Sequence, residues 1–344
     1  MDLSRVLIGL AAAGLALAGC GANSVSGRAP LPTVAVTAEL AALLPFTPTP
    51  APPSPSPAPT LPTSTPPPTP TDRPTATATG VATEAPTATP TPDPARQING
   101  IPFDQIAVLP PETAEHVRAI AARGRELGRD PHAFSKLGDS AVLIESNLTR
   151  FDGGPVTLGP YAFLQPAIDQ YAGSWERYGA GARVSLTTIG TFDPMWANPE
   201  YCATGEHLLA CEIRLHNPAI MLIRLGTNDG RAELYERYMA QIIDYCLENG
   251  VIPVLGTKAD RFEGDDSINA ATRRLAAEYA VPLWDFDALA GTLPNRGRTD
   301  DHAHLTTRNN NDYTDPETFT RGYPMSDLSA LVVLDAVWRV TSDE

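Results

Sequence analysis

From about residue 96 onward, short apolar runs alternate with longer amphipathic blocks. The strand-like runs are 133–137, 182–188, 219–225, 251–255 and 282–286; AIMLIRL at 219–225 is almost unbroken in its hydrophobicity. The blocks with helical spacing are 112–127, 161–178 (interrupted early by Pro166), 205–215, 232–248, 267–279 and 325–340, and Asn249-Gly250 stops the fourth. In 232–248 the spacing predicts a stripe of Leu234, Tyr238, Ile242 and Cys246. Apolar runs of five to seven residues separated by helices of this length indicate parallel strands buried on both faces. With right-handed crossovers the expectation is an α/β fold, a three-layer α/β/α sandwich on a mainly parallel central sheet. Ligands of such sheets bind beyond the carboxyl ends of the strands. The polar residues that follow each run are therefore the candidates for a site.

Composition separates this region from what precedes it. Of the 35 prolines in the 344-residue chain, 20 lie between Pro30 and Pro94, with sixteen threonines among them. A segment so poor in large apolar side chains does not bury enough surface to fold. The chain therefore divides into 1–20, 21–95 and a single folded domain over 96–344. Within the middle segment Pro30–Pro94 reads as a Pro/Thr-rich spacer in polyproline II, reaching up to ~200 Å at ~3.1 Å per residue, or equally as a plain disordered linker. The net charge is −15, and Pro30–Pro94 contributes only Glu39, Asp72, Arg73, Glu84 and Asp93 to it. An acidic body excludes binding of nucleic acid by phosphate neutralisation and adhesion to an anionic membrane surface.

At the N-terminus, Arg5 precedes an apolar run from Val6 to Ala18. As a helix this spans ~20 Å, short of the ~30 Å hydrocarbon core, so it reads as an export signal rather than a membrane span. The charge before it is small, since Asp2 offsets Arg5. The run ends in Leu17-Ala18-Gly19-Cys20, which resembles a bacterial lipobox. The resemblance implies cleavage before Cys20, a lipidated Cys20 as an anchor in a bilayer, and an exported lipoprotein at the cell surface or in the envelope. Cys202 and Cys211 are nine apart in CATGEHLLAC, and in an exported protein a disulfide between them is expected to pin a local loop. Cys246 reads as a buried, unreactive thiol.

The residues that follow the runs are Ser140, Gly190, Asn228, and late in the chain Asp301 and His304. Alone, each has an ordinary reading: Ser140 as a helix N-cap, Asn228 in a turn, Asp301 and His304 in a solvated loop. Together, FSKLGDSAV, TTIGT, LIRLGTND and DDHAHLT resemble the blocks of the SGNH (GDSL-type) hydrolase superfamily, over nearly the whole folded domain. The resemblance implies an SGNH hydrolase-like, flavodoxin-like fold and a serine hydrolase acting on ester bonds. It makes Ser140 the nucleophile, His304 its base and Asp301 the partner of the base; Asp301 is three residues before His304, so its carboxylate reaches the ring nitrogen facing away from Ser140. It also makes the N–H groups of Ser140 and Gly190 and the Asn228 amide the oxyanion hole. The stretch around Gly190 departs from the usual pattern, which has an Asn and further glycines nearby.

The cluster Asp300-Asp301-His302-Ala303-His304 also invites a metal reading, but no third distant ligand stands out. No metal and no cofactor are expected. After His304 a polar stretch of about 20 residues delays the last helix, and it is expected to form part of the substrate rim, with 202–211 opposite. The expected function is a cell-surface serine esterase acting on a small ester or an acylated polysaccharide, with a lean toward O-acyl groups on carbohydrate because a long spacer places the site among surface polymers. The alternatives are an inactive surface binding module and an acyltransferase on the same site.

Overall fold

The computed structural model describes residues 96–342. The expected signal segment, Cys20 and the spacer lie outside them. The described residues begin with a hairpin, β1 (Gln97–Ile98) and β2 (Ile101–Pro102), turning at Asn99-Gly100. Then follow α1 (Phe103–Ile106), β3 (Ala107–Val108), α2 (Pro111–Glu126), β4 (Asp130–Gly138), α3 (Gln165–Gln170) and α4 (Leu208–His216). The second half holds β5 (Pro218–Arg224), α5 (Ala232–Glu248), β6 (Ile252–Gly256), α6 (Ser267–Glu278), β7 (Leu283–Trp284), α7 (Phe286–Ala290) and α8 (Gly322–Ser342).

Five strands form the central sheet in the order β3-β7-β6-β5-β4. Strands β4 to β7 are parallel, and β3 adds an antiparallel edge. Alternate residues of each strand face opposite sides. Phe134, Ile220, Leu222, Ile252 and Val254 pack with α2, α3 and α8 on one face. Leu137, Met221, Ile223 and Leu255 pack with α4, α5 and α6 on the other. This is the three-layer α/β/α sandwich that the alternation of runs and blocks predicts. The carboxyl ends of β4 and β5 lie side by side, Gly138 opposite Arg224.

Helix α8 is apolar nearly all round and is buried along most of its length, as a central helix must be. Its buried polar residues each have a partner: Ser326 Oγ accepts from Arg224, Ser329 Oγ accepts from the Trp284 indole (2.8 Å), and Asp327 pairs with Arg150 at 2.7 Å and accepts from the Leu148 N–H at 2.9 Å.

Three expected elements differ. Residues 182–188 are not a strand; one bridge between Ala182 and Gly138 remains. Ser185 sits at φ +62°, which turns the chain out of the extended conformation, and Val184 is left 63% exposed. The block 161–178 breaks into a 3₁₀ turn (Gly159–Leu164) and the short α3, because prolines lead both pieces. On α5 the buried stripe is Tyr235, Met239, Ile242 and Cys246, so Leu234 and Tyr238 lie to one side of it, half-exposed.

The Arg150–Asp327 pair predicts a stability measurement. Removing one member leaves the other buried without its oppositely charged partner, which costs about 3–5 kcal/mol. Urea unfolding of Asp327→Ala is expected to show a loss of that size; a loss below about 1 kcal/mol would contradict this account of the pair.

Candidate active site

Ser140 stands two residues past the end of β4. Gly138 leaves no room for a side chain: a Cβ there would fall 2.2 Å from Val142 Cγ2 and 2.8 Å from the Arg224 carbonyl. The chain then turns tightly around Asp139, whose carbonyl accepts from Val142 (3.0 Å) and Leu143 (2.9 Å) and whose Oδ1 accepts from the Ala141 N–H (2.9 Å). The turn projects Ser140 from the sheet edge, and its own N–H has no partner among the described residues.

His304 comes from a loop 164 residues away, and its Nε2 lies 3.0 Å from Ser140 Oγ. Its Nδ1 lies 2.6 Å from Asp301 Oδ2. Asp301 organises this loop as well as the ring: its Oδ1 accepts from Thr299 Oγ1 (2.6 Å), from the Ala303 N–H (2.9 Å) and from the His304 N–H (3.0 Å). The Thr299 hydroxyl first, then the His304 ring and the two backbone donors, hold the Asp301 carboxyl far below the usual carboxylate range. An ionised Asp301 keeps the proton on Nδ1 and leaves Nε2 as the acceptor toward the serine hydroxyl. The side chains of His304 and Asp301 are 38% and 51% exposed, so water reaches the ring. The neighbouring His302 is exposed at φ +62° and takes no part in this chain of bonds.

Asn228 follows β5. Its Nδ2 donates to the Leu186 carbonyl (3.2 Å) and lies 3.4 Å from Asp139 Oδ2. Asp139 is 2% exposed, and burial pushes its carboxyl up against the pull of the Ala141 N–H. Asp229 fixes the facing segment: its carboxylate accepts from Thr188 Oγ1 (2.6 Å) and from the Thr188 N–H (3.1 Å). Gly190 is placed differently from the expectation. It is buried in a 3₁₀ turn (Ile189–Phe192) beside Trp196, and its N–H donates to Thr187 Oγ1 at 3.2 Å rather than pointing free toward Ser140. Thr187, next to the carbonyl that holds Asn228, has a backbone N–H without a partner among the described residues.

Several residues here were not singled out from the sequence. Asp139 and Asp229 lie inside the stretches GDS and GTND, and their buried carboxylates steer Asn228 and the 186–188 segment. The start of α8 carries no motif, yet it clamps both loops: Tyr323 Oη donates to the Ala141 carbonyl (3.1 Å), and the N–H groups of Gly322 and Tyr323 bond Thr306 Oγ1 (2.8 Å) and the Thr306 carbonyl (2.9 Å).

Two open clefts lie along the loops that carry these residues; Asn228 lines the first, and none of Ser140, Asp301 and His304 lines either. One, about 460 Å³, runs past Thr187, Asn228, Leu234 and Tyr238. The other, about 670 Å³, lies between the loop after Ser140 and the loop after His304. The polar stretch after His304 thus lines a cleft, whereas 202–211 lines neither of the two. Cys202 and Cys211 form a disulfide there. Cys246 is fully buried, and burial pushes its thiol up to about 12. Among the described residues, the one grouping of Cys, His and acidic ligand atoms is Cys202, Glu206 and Cys211, whose thiols are joined to each other.

No family profile and no curated protein matches the chain. Among solved structures it is similar to a two-domain esterase active on acetylated mannans, at 13% identity and a TM-score of 0.37. That alignment covers 66% of this chain and 54% of the other, so the chain spans about half the length of that structure.

The two aspartates should titrate in opposite directions. Asp301, depressed, adds stability above the unfolded-state value of ~3.9 and loses it as pH falls through its lower folded value. Asp139, raised, is favourable below ~3.9 and becomes costly as pH rises through its higher folded value. Carboxyl-carbon NMR is expected to show Asp301 titrating below, and Asp139 above, the ~3.9 of a free aspartate; ordinary titration of Asp301 near 3.9 would contradict the geometry.

Proposed function

We propose that the protein is a serine hydrolase that cleaves carboxylic esters. The observation that carries this reading is the unbroken chain Asp301–His304–Ser140, at 2.6 and 3.0 Å, on the carboxyl edge of a parallel sheet. Ser140 Oγ attacks the ester carbonyl while His304 Nε2 takes its proton, and Asp301 stabilises the imidazolium that results. The oxyanion that forms is met by the Ser140 N–H and the Asn228 Nδ2. The third donor is the unpaired N–H of Thr187, in the role the resemblance gave to Gly190, whose own N–H is taken by the Thr187 hydroxyl. Collapse of the tetrahedral intermediate expels the alcohol, which takes the proton from His304. A water then gives a proton to His304 and attacks the acyl-serine; collapse of this second intermediate releases the acid as Ser140 Oγ takes that proton from His304. No metal or cofactor enters these steps.

The substrate is a small ester or an acylated polysaccharide. The domain is carried by an exported lipoprotein, anchored in a bilayer through Cys20 and held away from it by the Pro/Thr-rich spacer.

Hydrolysis of p-nitrophenyl acetate by the full chain tests the chemistry. Ser140→Ala is expected to lower kcat by a factor of about 10³ or more, and Asn228→Ala by about 10²–10³. Equal rates for wild type and Ser140→Ala would overturn the reading. The anchor has its own test: Cys20→Ser is expected to move the protein from the membrane fraction to the soluble one and to abolish incorporation of labelled palmitate.

A further inference from the structure

The larger cleft has a chemistry of its own. One wall comes from the loop that leaves Ser140, with Glu145 and Ser146; the other comes from the loop that leaves His304, with Asn309 and Asn311. Glu176 closes one side. None of these five side chains makes a hydrogen bond or ion pair among the described residues. The walls themselves are fixed. Arg150 ties the first to α8 through Asp327 at 2.7 Å, and Arg308 ties the second to Asp315 and Glu317. Unpaired donors and acceptors on rigid walls favour a ligand rich in hydroxyl groups, which can exchange its water for them one for one.

Tyr178, 43% exposed, does not line the cleft but stands near enough to feel the charges of its Glu145 and Glu176. The Lys136 ammonium lies 5.5 Å from its ring centroid and is itself held by the Trp175 carbonyl at 2.8 Å. A ring so braced and so exposed offers a flat apolar platform of the kind on which a sugar ring stacks its C–H face. Charge narrows the ligand further. Two free carboxylates, on a chain of net charge −15, repel an acidic ligand. Their oxygens do not form a cluster that could hold a cation, since the one such grouping among the described residues lies at 202–211.

Position supplies the link to chemistry. Glu145 is five residues from Ser140 and Asn309 is five from His304, which at ~3.5 Å per residue keeps each within ~18 Å of the reacting groups. We propose that this cleft binds a neutral glycan, and that the ester cleaved at Ser140 is an O-acyl group carried on that glycan. The proposal rests on the ester-hydrolase reading for its second half only.

The test separates the two halves. The full chain bearing Ser140→Ala is titrated calorimetrically with acetylated and deacetylated xylo- and cello-oligosaccharides and with oligogalacturonate. Saturable binding of the neutral oligosaccharides but not of oligogalacturonate is expected, weakened about tenfold or more by Asn309→Ala with Asn311→Ala, and again by Tyr178→Ala. With Ser140 intact, the same substitutions are expected to lower the ratio of kcat/KM for acetylated oligosaccharide over p-nitrophenyl acetate about tenfold. Circular dichroism establishes that the variants are folded. Absence of binding to every neutral oligosaccharide, or binding that these substitutions leave unchanged, would overturn the proposal. A wild-type chain that binds the glycan yet turns over neither ester would refute the hydrolase and leave a glycan-binding cleft.

Discussion

The first turns of α8 hold the two halves of the site in one frame. Tyr323 Oη bonds the carbonyl of the residue after Ser140, and Asp327 accepts from Leu148 further along the same loop. On the other side, the Gly322 and Tyr323 N–H groups bond Thr306, two residues after His304. Gly322 lies so close to Gly297 that a Cβ would fall 2.2 Å from its carbonyl oxygen, and no side chain fits there. The 3.0 Å between Ser140 and His304 therefore follows from a buried helix rather than from the two loops alone. A candidate nucleophile and base brought from distant parts of the chain need such a frame, since a displacement of about 1 Å costs roughly 10²-fold in rate.

The same frame explains why so many charges are buried close to the site. Arg224, at the end of β5, lies over Trp284 and Phe286, bonds Ser326 on α8, and donates to the Ala141 carbonyl (3.1 Å). It connects sheet, helix and nucleophile turn through one guanidinium. Lys258, 3% exposed, bonds Asp260 at 2.6 Å, and Asp260 accepts from Thr227 at 2.9 Å beside Asn228. Such groups stabilise little in net terms once their desolvation is counted. Their geometric effect is larger: each fixes a turn that carries a candidate catalytic group.

Much of this was legible in the sequence, for a physical reason. Residues 219–225 and 251–255 are strands buried on both faces, so hydrophobicity alone marks them, and 232–248 is a helix with a strong cap signal and a clear period. Ser140, Asn228, Asp301 and His304 could be located because strand ends and short motifs coincide at them. Residues 182–188 have strand-like composition, but one left-handed residue, Ser185, decides the conformation, and composition does not encode that. Gly190 was misplaced with it, since its position depended on a strand ending there. The α5 stripe is off by one residue because Leu234 and Tyr238 are apolar enough to fit either face. The role of α8 was invisible, because Gly322, Tyr323 and Asp327 act through contacts 16 to 182 residues distant along the chain.

The central claim is that Ser140 is made nucleophilic by His304. The most direct measurement is intact-mass and peptide mass spectrometry after treatment of the full chain with a fluorophosphonate, with His304→Ala alongside. The account predicts one adduct, on the peptide that contains Ser140, formed in wild type and suppressed in His304→Ala. An unlabelled Ser140 in the folded wild-type protein, or equal labelling in both proteins, would contradict it.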